Sequence, residues 1–290
     1  MTSTINRLSD GTIELTITIP WTDVAKTYED AVVHMVSEAE LPGFRKGKAP
    51  RDLVEKSLDK TKVYEEALKT FIPKSYNDAI TQQKVKPIVN PKIELKDATE
   101  NKDWVFRALT AERPTVTLGE YKKAIQELKA SKTQKIWKPG DLPDRQAGKP
   151  EEKDKETKPT LDEVLMALYK NVMTTLPAIL VEHEVNRLLS ELIDQTKKLG
   201  LTVEQYLAST QRTSEGIKKE YEEQAKRTLT LEFALEAIAD VEGILVSDDD
   251  IDAVIKTGKT DEEKEALKAQ RYYLASVLRR QKTLDFLASL

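Results

Sequence analysis

Residues 131–160, SKTQKIWKPGDLPDRQAGKPEEKDKETKPT, are dominated by Lys, Glu, Asp and Pro and hold few apolar side chains. A stretch of that composition cannot bury enough apolar surface to offset the entropy of ordering it. It therefore reads as a linker or exposed loop that divides the 290-residue chain into two bodies. A chain of this length has room for two domains.

The first body mixes two periodicities. TINRLS and TIELTITIP flank Asp10-Gly11, and Asp-Gly between extended runs predicts a hairpin. In the second run Ile13, Leu15, Ile17 and Ile19 fall on one face and Glu14, Thr16 and Thr18 on the other, so one face is buried. From residue 22 to 40 the pattern turns helical, with Val24, Tyr28, Ala31, Val32, Met35 and Ala39 in one stripe. RDLVEKSLD reads as a short helix, and a longer one runs from about Lys62 to Gln83 with an expected kink at Pro73. KIELKD and DWVFRALTA can pair as strands. Four strands with helices make an α+β domain over residues 1–112. The run ERPTVTLGEYKKAIQELKA reads as an exit strand, so residues 113–160 form exit strand and linker. Residues 161–290 are helical almost throughout, with Gly200, Gly216, Gly243 and Gly258 as punctuation.

Between the two N-terminal helices lies GFRKGKAP, Gly43 to Pro50. Gly43 and Gly47 allow sharp turns, and Pro50 suits the first turn of a following helix. Phe44 stands beside Arg45, Lys46 and Lys48, with Arg51 just beyond. The expected product is a protruding tip with an apolar ring among cations, suited to an anionic surface that offers an apolar notch. A solvated basic turn between two helices would carry the same residues.

Other chemistry is thin. The chain has no cysteine, which excludes disulfides, thiol nucleophiles and Cys-ligated zinc. A net charge of -4 confines any RNA contact to a local patch. MTSTINRLSD lacks an apolar h-region and no apolar run has the length of a membrane span, so a cytoplasmic protein without membrane contact is expected. Gly258-Lys259-Thr260 looks like the end of a phosphate loop, but position 253 is Ala where that loop needs glycine. Asp248, Asp249 and Asp250 follow Ser247 and read as a capped, dipole-matched first turn rather than a cation site. His34 and His183 are isolated. No catalytic residue, metal site or cofactor site is expected.

GFRKGKAP resembles the ribosome-docking signature of the bacterial trigger factor family, and the resemblance extends along the chain. IPKSYNDAI, KPIVNPKIE and RPTVTLGEYK resemble the remaining signatures of its N-terminal domain and exit strand. LPAILVEHEV resembles the opening of its C-terminal domain, and GLTVEQYLAST with EEQAKRTLTLEFALEAIADVEGILVSDDDIDAVI resembles its helical arm and the neighbouring helix. The resemblance implies an α+β ribosome-binding domain with a protruding helix-loop-helix tip, followed by an all-α chaperone domain with helical arms. It implies ATP-independent holding of nascent polypeptides at the exit tunnel. Gly43, Phe44, Arg45, Lys46, Gly47, Lys48 and Pro50 would then meet protein and RNA of the large ribosomal subunit. The family carries a prolyl isomerase domain of the FK506-binding type between exit strand and helical domain. Only 131–160 stands there, with Gly140, Gly148 and the single aromatic Trp137, so isomerase activity is not expected. Two other readings stay open: a ribosome or RNA adaptor gripping one folded partner, and a holdase that works off the ribosome. Self-association off the ribosome is also left open by the missing domain.

Overall fold

The computed structural model describes residues 1–39, 44–45, 50–51, 53–54, 58–133 and 159–290. The chain divides into two compact units, one of Met1–Arg113 with Pro177–His183, the other of Pro114–Leu176 with Glu184–Leu290.

The first unit is built on a four-stranded antiparallel sheet. Its strands are β1 (Thr2–Arg7), β2 (Thr12–Ile19), β3 (Lys92–Asp97) and β4 (Trp104–Ala111), in the order β1-β2-β4-β3. The alternation in β2 decides which face is covered. Ile13, Leu15, Ile17 and Ile19 are fully buried, and across the register Leu15 faces Ala108 while Ile17 faces Phe106. Each such side chain removed from water contributes roughly 1.5–3 kcal/mol before entropy is counted. On the opposite face Arg107 of β4 lies between Glu94 of β3 (2.6 Å) and Glu14 of β2 (3.6 Å), a cross-strand ionic row.

Two helices cover the apolar face. They are α1 (Trp21–Glu38) and α2 (Lys60–Gln83), the latter started by Asp59, whose side chain accepts from the Thr61 N–H. α2 runs as one helix through Pro73, the position at which a kink is expected. Ser75, Tyr76 and Ala79 beyond the proline are buried, and that packing holds the last turns in place.

The Asp10-Gly11 turn does more than join β1 to β2. The Asp10 carboxylate accepts from the Thr12 N–H (3.0 Å), the Thr12 hydroxyl (2.8 Å) and the Ala178 N–H (2.9 Å). Ala178 opens α5 (Ala178–Lys198), so Asp10 caps a helix start far along the chain. Gly11, at φ 86°, passes so close to Pro177 that a Cβ would lie 3.3 Å from its ring. Lys92 and Glu182 add an ion pair at 2.6 Å.

The second unit is almost wholly helical. It contains α3 (Tyr121–Thr133), α4 (Leu161–Asn171), the remainder of α5, α6 (Val203–Ser209), α7 (Ser214–Val241), α8 (Asp248–Lys256), α9 (Asp261–Ala269) and α10 (Arg271–Ser289). A small two-stranded sheet of β5 (Val116–Leu118) and β6 (Val172–Thr174) closes one end of the α3–α4 pair. Within the stretch read as exit strand and linker, the described residues up to 133 form a three-residue strand followed by a helix. α3 forms because Tyr121, Ile125 and Leu128 recur at helical spacing and meet Val164, Leu168, Leu235 and Ile238 in the core. Lys132 near its end binds Glu163 at 2.6 Å, and Glu163 closes a capping box with Thr160 at the start of α4. Gly216 does not punctuate. It lies in the first turn of α7, where its N–H donates to the capping Thr213 hydroxyl (3.0 Å).

Candidate functional site

The tip between α1 and α2 is positioned by a second, smaller apolar cluster. Ala31 and Val32 of α1 pack with Val63 and Ala67 of α2, flanked by Tyr28, Met35, Val36 and Leu58. The rings of Tyr28 and Tyr64 lie 4.7 Å apart and those of Tyr64 and Trp104 5.3 Å, which ties the pair to the sheet. α1 ends where Ala39 turns extended. On the return, the Leu53 and Val54 N–H groups donate to the Pro50 carbonyl (3.0 and 3.2 Å), so a helical turn begins where the proline allows it. Arg51 reaches back to Glu29 of α1 at 2.8 Å, and Val54 is buried.

Of the residues expected to dock, Phe44, Arg45 and Pro50 are described and all three are exposed, Phe44 at 43%. Gly43, Lys46, Gly47 and Lys48 lie outside the described residues. An exposed ring next to a guanidinium combines apolar contact area with a planar fork of donors for carboxylate or phosphate.

A second set of candidates comes from the helical unit, where sequence alone could not separate core from surface. Leu199 (70%), Val241 (71%), Leu245 (77%) and Tyr272 (96%) stand largely in solvent, and Met173 and Tyr273 join them. Isolated exposed apolar residues are ordinary, and among the described residues these six are the most exposed large apolar ones of the helical unit.

The remaining motifs resolve into local structure. Gly258 donates its N–H to the Ile255 carbonyl, the Lys259 N–H goes to Glu263, and Thr260 forms a capping box with Glu263 at the start of α9. Those N–H groups are spent within the chain rather than turned toward a phosphate. Ser247 and Asp250 form a capping box on α8, as the sequence suggests. Sequence reasoning missed that Asp248 and Asp250 also accept from Arg271 and Lys282 of α10. His34 and His183 are exposed. Among the described residues no three His, Asp or Glu side chains are grouped to hold a metal ion, and no helix is long and apolar enough to cross a membrane.

Comparisons with known proteins agree with this geometry. A family model described as bacterial trigger factor protein matches residues 1–136, and one described as bacterial trigger factor protein C-terminus matches 145–289. A trigger factor of Carboxydothermus hydrogenoformans is 27% identical over 422 aligned positions that span 99% of this chain and 98% of that one. Set against 290 residues, 422 positions leave at least 132 with no counterpart here. Trigger factors from Staphylococcus aureus strains JH9 and Newman are 33% identical over 122 residues, 42% of this chain and 28% of theirs. A solved structure described as "Promiscuous Substrate Recognition in Folding and Assembly Activities of the Trigger Factor Chaperone" shares the fold. Its TM-score is 0.64 at 16% identity, over 100% of this chain and 99% of that one.

Proposed function

Because this chain belongs to the bacterial trigger factor family, we propose that it is a chaperone that docks on the large ribosomal subunit and holds nascent polypeptides without nucleotide. The observation that carries the docking half is Phe44, exposed beside Arg45 at the end of the α1–α2 pair. Phe44 supplies apolar contact with a protein at the tunnel rim, and Arg45, Lys46 and Lys48 engage its carboxylates and the phosphates of ribosomal RNA. Gly43, Gly47 and Pro50 shape the turn. Binding of this kind releases counterions and weakens steeply with salt. The holding half rests on the exposed Leu199, Val241, Leu245 and Tyr272 of the helical unit. Many weak apolar contacts delay collapse of an unfolded chain and are reversible without ATP.

The cytoplasm, where nascent chains emerge, is the compartment this reading requires. The domain assignment that goes with it keeps the ribosome-binding domain at 1–112, exit strand and linker at 113–160 with α3 inside that span, and the chaperone domain at 161–290, on whose core α3 packs.

The reading excludes prolyl isomerisation. The two matching family models are the N- and C-terminal ones, and at least 132 positions of the Carboxydothermus alignment have no counterpart in this chain. Two assays test the proposal. A chemically unfolded client diluted into excess chaperone without nucleotide stays unaggregated; no protection at excess chaperone refutes the holding half. A protease-coupled assay on a proline-containing peptide shows only the uncatalysed rate; any acceleration refutes the loss of isomerase activity.

A further inference from the structure

Helix α10 is fastened in two different ways along its length. Its C-terminal end sits in the apolar core of the second unit, with Thr283 and Leu287 fully buried and Leu284, Phe286 and Leu290 packed alongside. Before Thr283 no residue of the helix is fully buried. Cations take over there. Arg271 donates to Asp248 (2.7 Å) and Asp252 (2.9 Å) of α8. Arg279 donates to Asp240 of α7 (2.7 Å) and to the Ile244 carbonyl (2.9 Å). Lys282 reaches Asp250 at 2.6 Å, and Arg280 binds Glu232 of α7.

At helical spacing Arg271, Leu274, Leu278 and Lys282 share the side turned to α8, while Tyr273 and Val277 lie on the opposite side and Tyr272 lies beside Arg279. Tyr272 is 96% exposed and Tyr273 65%. α9 buries no residue, and α8 buries only Ile251 and Ile255. Toward α10, α8 and α9 are therefore held by the bonds of Arg271 and Lys282, and they bury only two isoleucines of their own. The paired groups are half open to solvent, with Arg271 at 40% and Asp252 at 50%, so dissolved salt can screen them. Apolar burial has no such sensitivity.

We propose that this ladder is an ionic latch. When it is screened or its cations Arg271 and Lys282 are removed, α8 and α9 swing away from α10, which Arg279 and Arg280 on α7 and the buried Thr283 and Leu287 keep in place. The swing uncovers Ile251, Ile255, Leu274 and Leu278 as additional surface for unfolded segments. Opening itself is independent of the holding function proposed above; the use of the uncovered surface rests on it.

Hydrogen exchange of the full-length chain, read by mass spectrometry, tests the latch. Salt is raised from about 0.01 M to about 1 M, which shortens the screening length from about 30 Å to about 3 Å. Protection of amides in α8 and α9 falls roughly tenfold, as loss of several exposed ion pairs together implies, while core amides of α4 and α7 keep theirs. The double substitution Arg271→Gln with Lys282→Gln opens the latch at low salt. Protection that ignores both salt and the double substitution overturns the latch. Client protection is then compared at low salt: the doubly substituted chain suppresses aggregation at a lower chaperone ratio. Opening without that gain overturns the use of the uncovered surface, whereas a parent chain that protects no client refutes the holding function instead.

Discussion

Replacing Asp10 by Ala removes three hydrogen bonds at once. Two of them shape the hairpin turn, and the third caps α5 at the Ala178 N–H (2.9 Å). A lost helix cap costs about 1 kcal/mol, and the bonds within the turn add about as much. Solvent reaches the carboxylate, so the lower end of each range applies and the total is about 2 kcal/mol. With a urea dependence of about 1–3 kcal/mol per molar, the midpoint drops by roughly 1 M. Trp21 and Trp104 lie in the first unit, so fluorescence in a Trp137→Phe background reports the unfolding of that unit. Asp10→Asn keeps one acceptor oxygen and loses about half as much. Burial by itself would raise the Asp10 pKa, but the Ala178 and Thr12 N–H groups and the Thr12 hydroxyl outweigh it and hold it below 3.8. A depressed carboxylate pKa contributes stability that is present above 3.8 and lost as pH falls through the folded value, so the gap between parent and Ala variant narrows in acid. An Ala variant with an unchanged midpoint at neutral pH refutes the trans-capping argument.

Two further outcomes follow from the second unit. A Cβ on Gly119 would lie 2.5 Å from the Asn171 carbonyl oxygen, so Gly119→Ala should cost about 1–3 kcal/mol. Gly200 has open space around it and pays only for its left-handed φ of 71°, about 1 kcal/mol as Ala; thermal melts by far-ultraviolet circular dichroism rank the two. The Lys282 ammonium and the Ser247 bonds hold the Asp250 carboxyl down to about 2. Its contribution is therefore complete above 3.8 and lost only as pH falls toward about 2, and acid exchange measurements should show α8 loosening in that window and not above it.

Local signals were readable where local physics decides the structure. The alternation of Ile13, Leu15, Ile17 and Ile19 predicted a buried strand face, and Ser247 predicted a helix start. Gly216 misled because a threonine cap places it inside a first turn, and α2 continues through Pro73 because tertiary packing offsets its intrinsic cost. α3 was hidden in a run read as strand and linker, since Tyr121, Ile125 and Leu128 become a helical stripe only once α4 and α7 supply a core. Asp10 bonds to Ala178 and Asp250 to Lys282 across separations that no spacing rule covers. For the tip, the sequence pointed to an exposed aromatic among cations, and Phe44 and Arg45 stand in solvent.

The central claim is that this tip tethers the chain to the ribosome. Co-sedimentation with non-translating ribosomes at low salt tests it most directly, comparing the parent chain with Phe44→Ala, Arg45→Ala and Lys46→Ala combined. The account predicts that the parent pellets with ribosomes and is released as salt rises. Truncating an aromatic and an arginine at the centre of such a contact costs about 2 kcal/mol or more for each, so the triple variant should lose roughly a thousandfold in affinity and stay in the supernatant. Co-sedimentation of the triple variant at the parent's level would contradict the account.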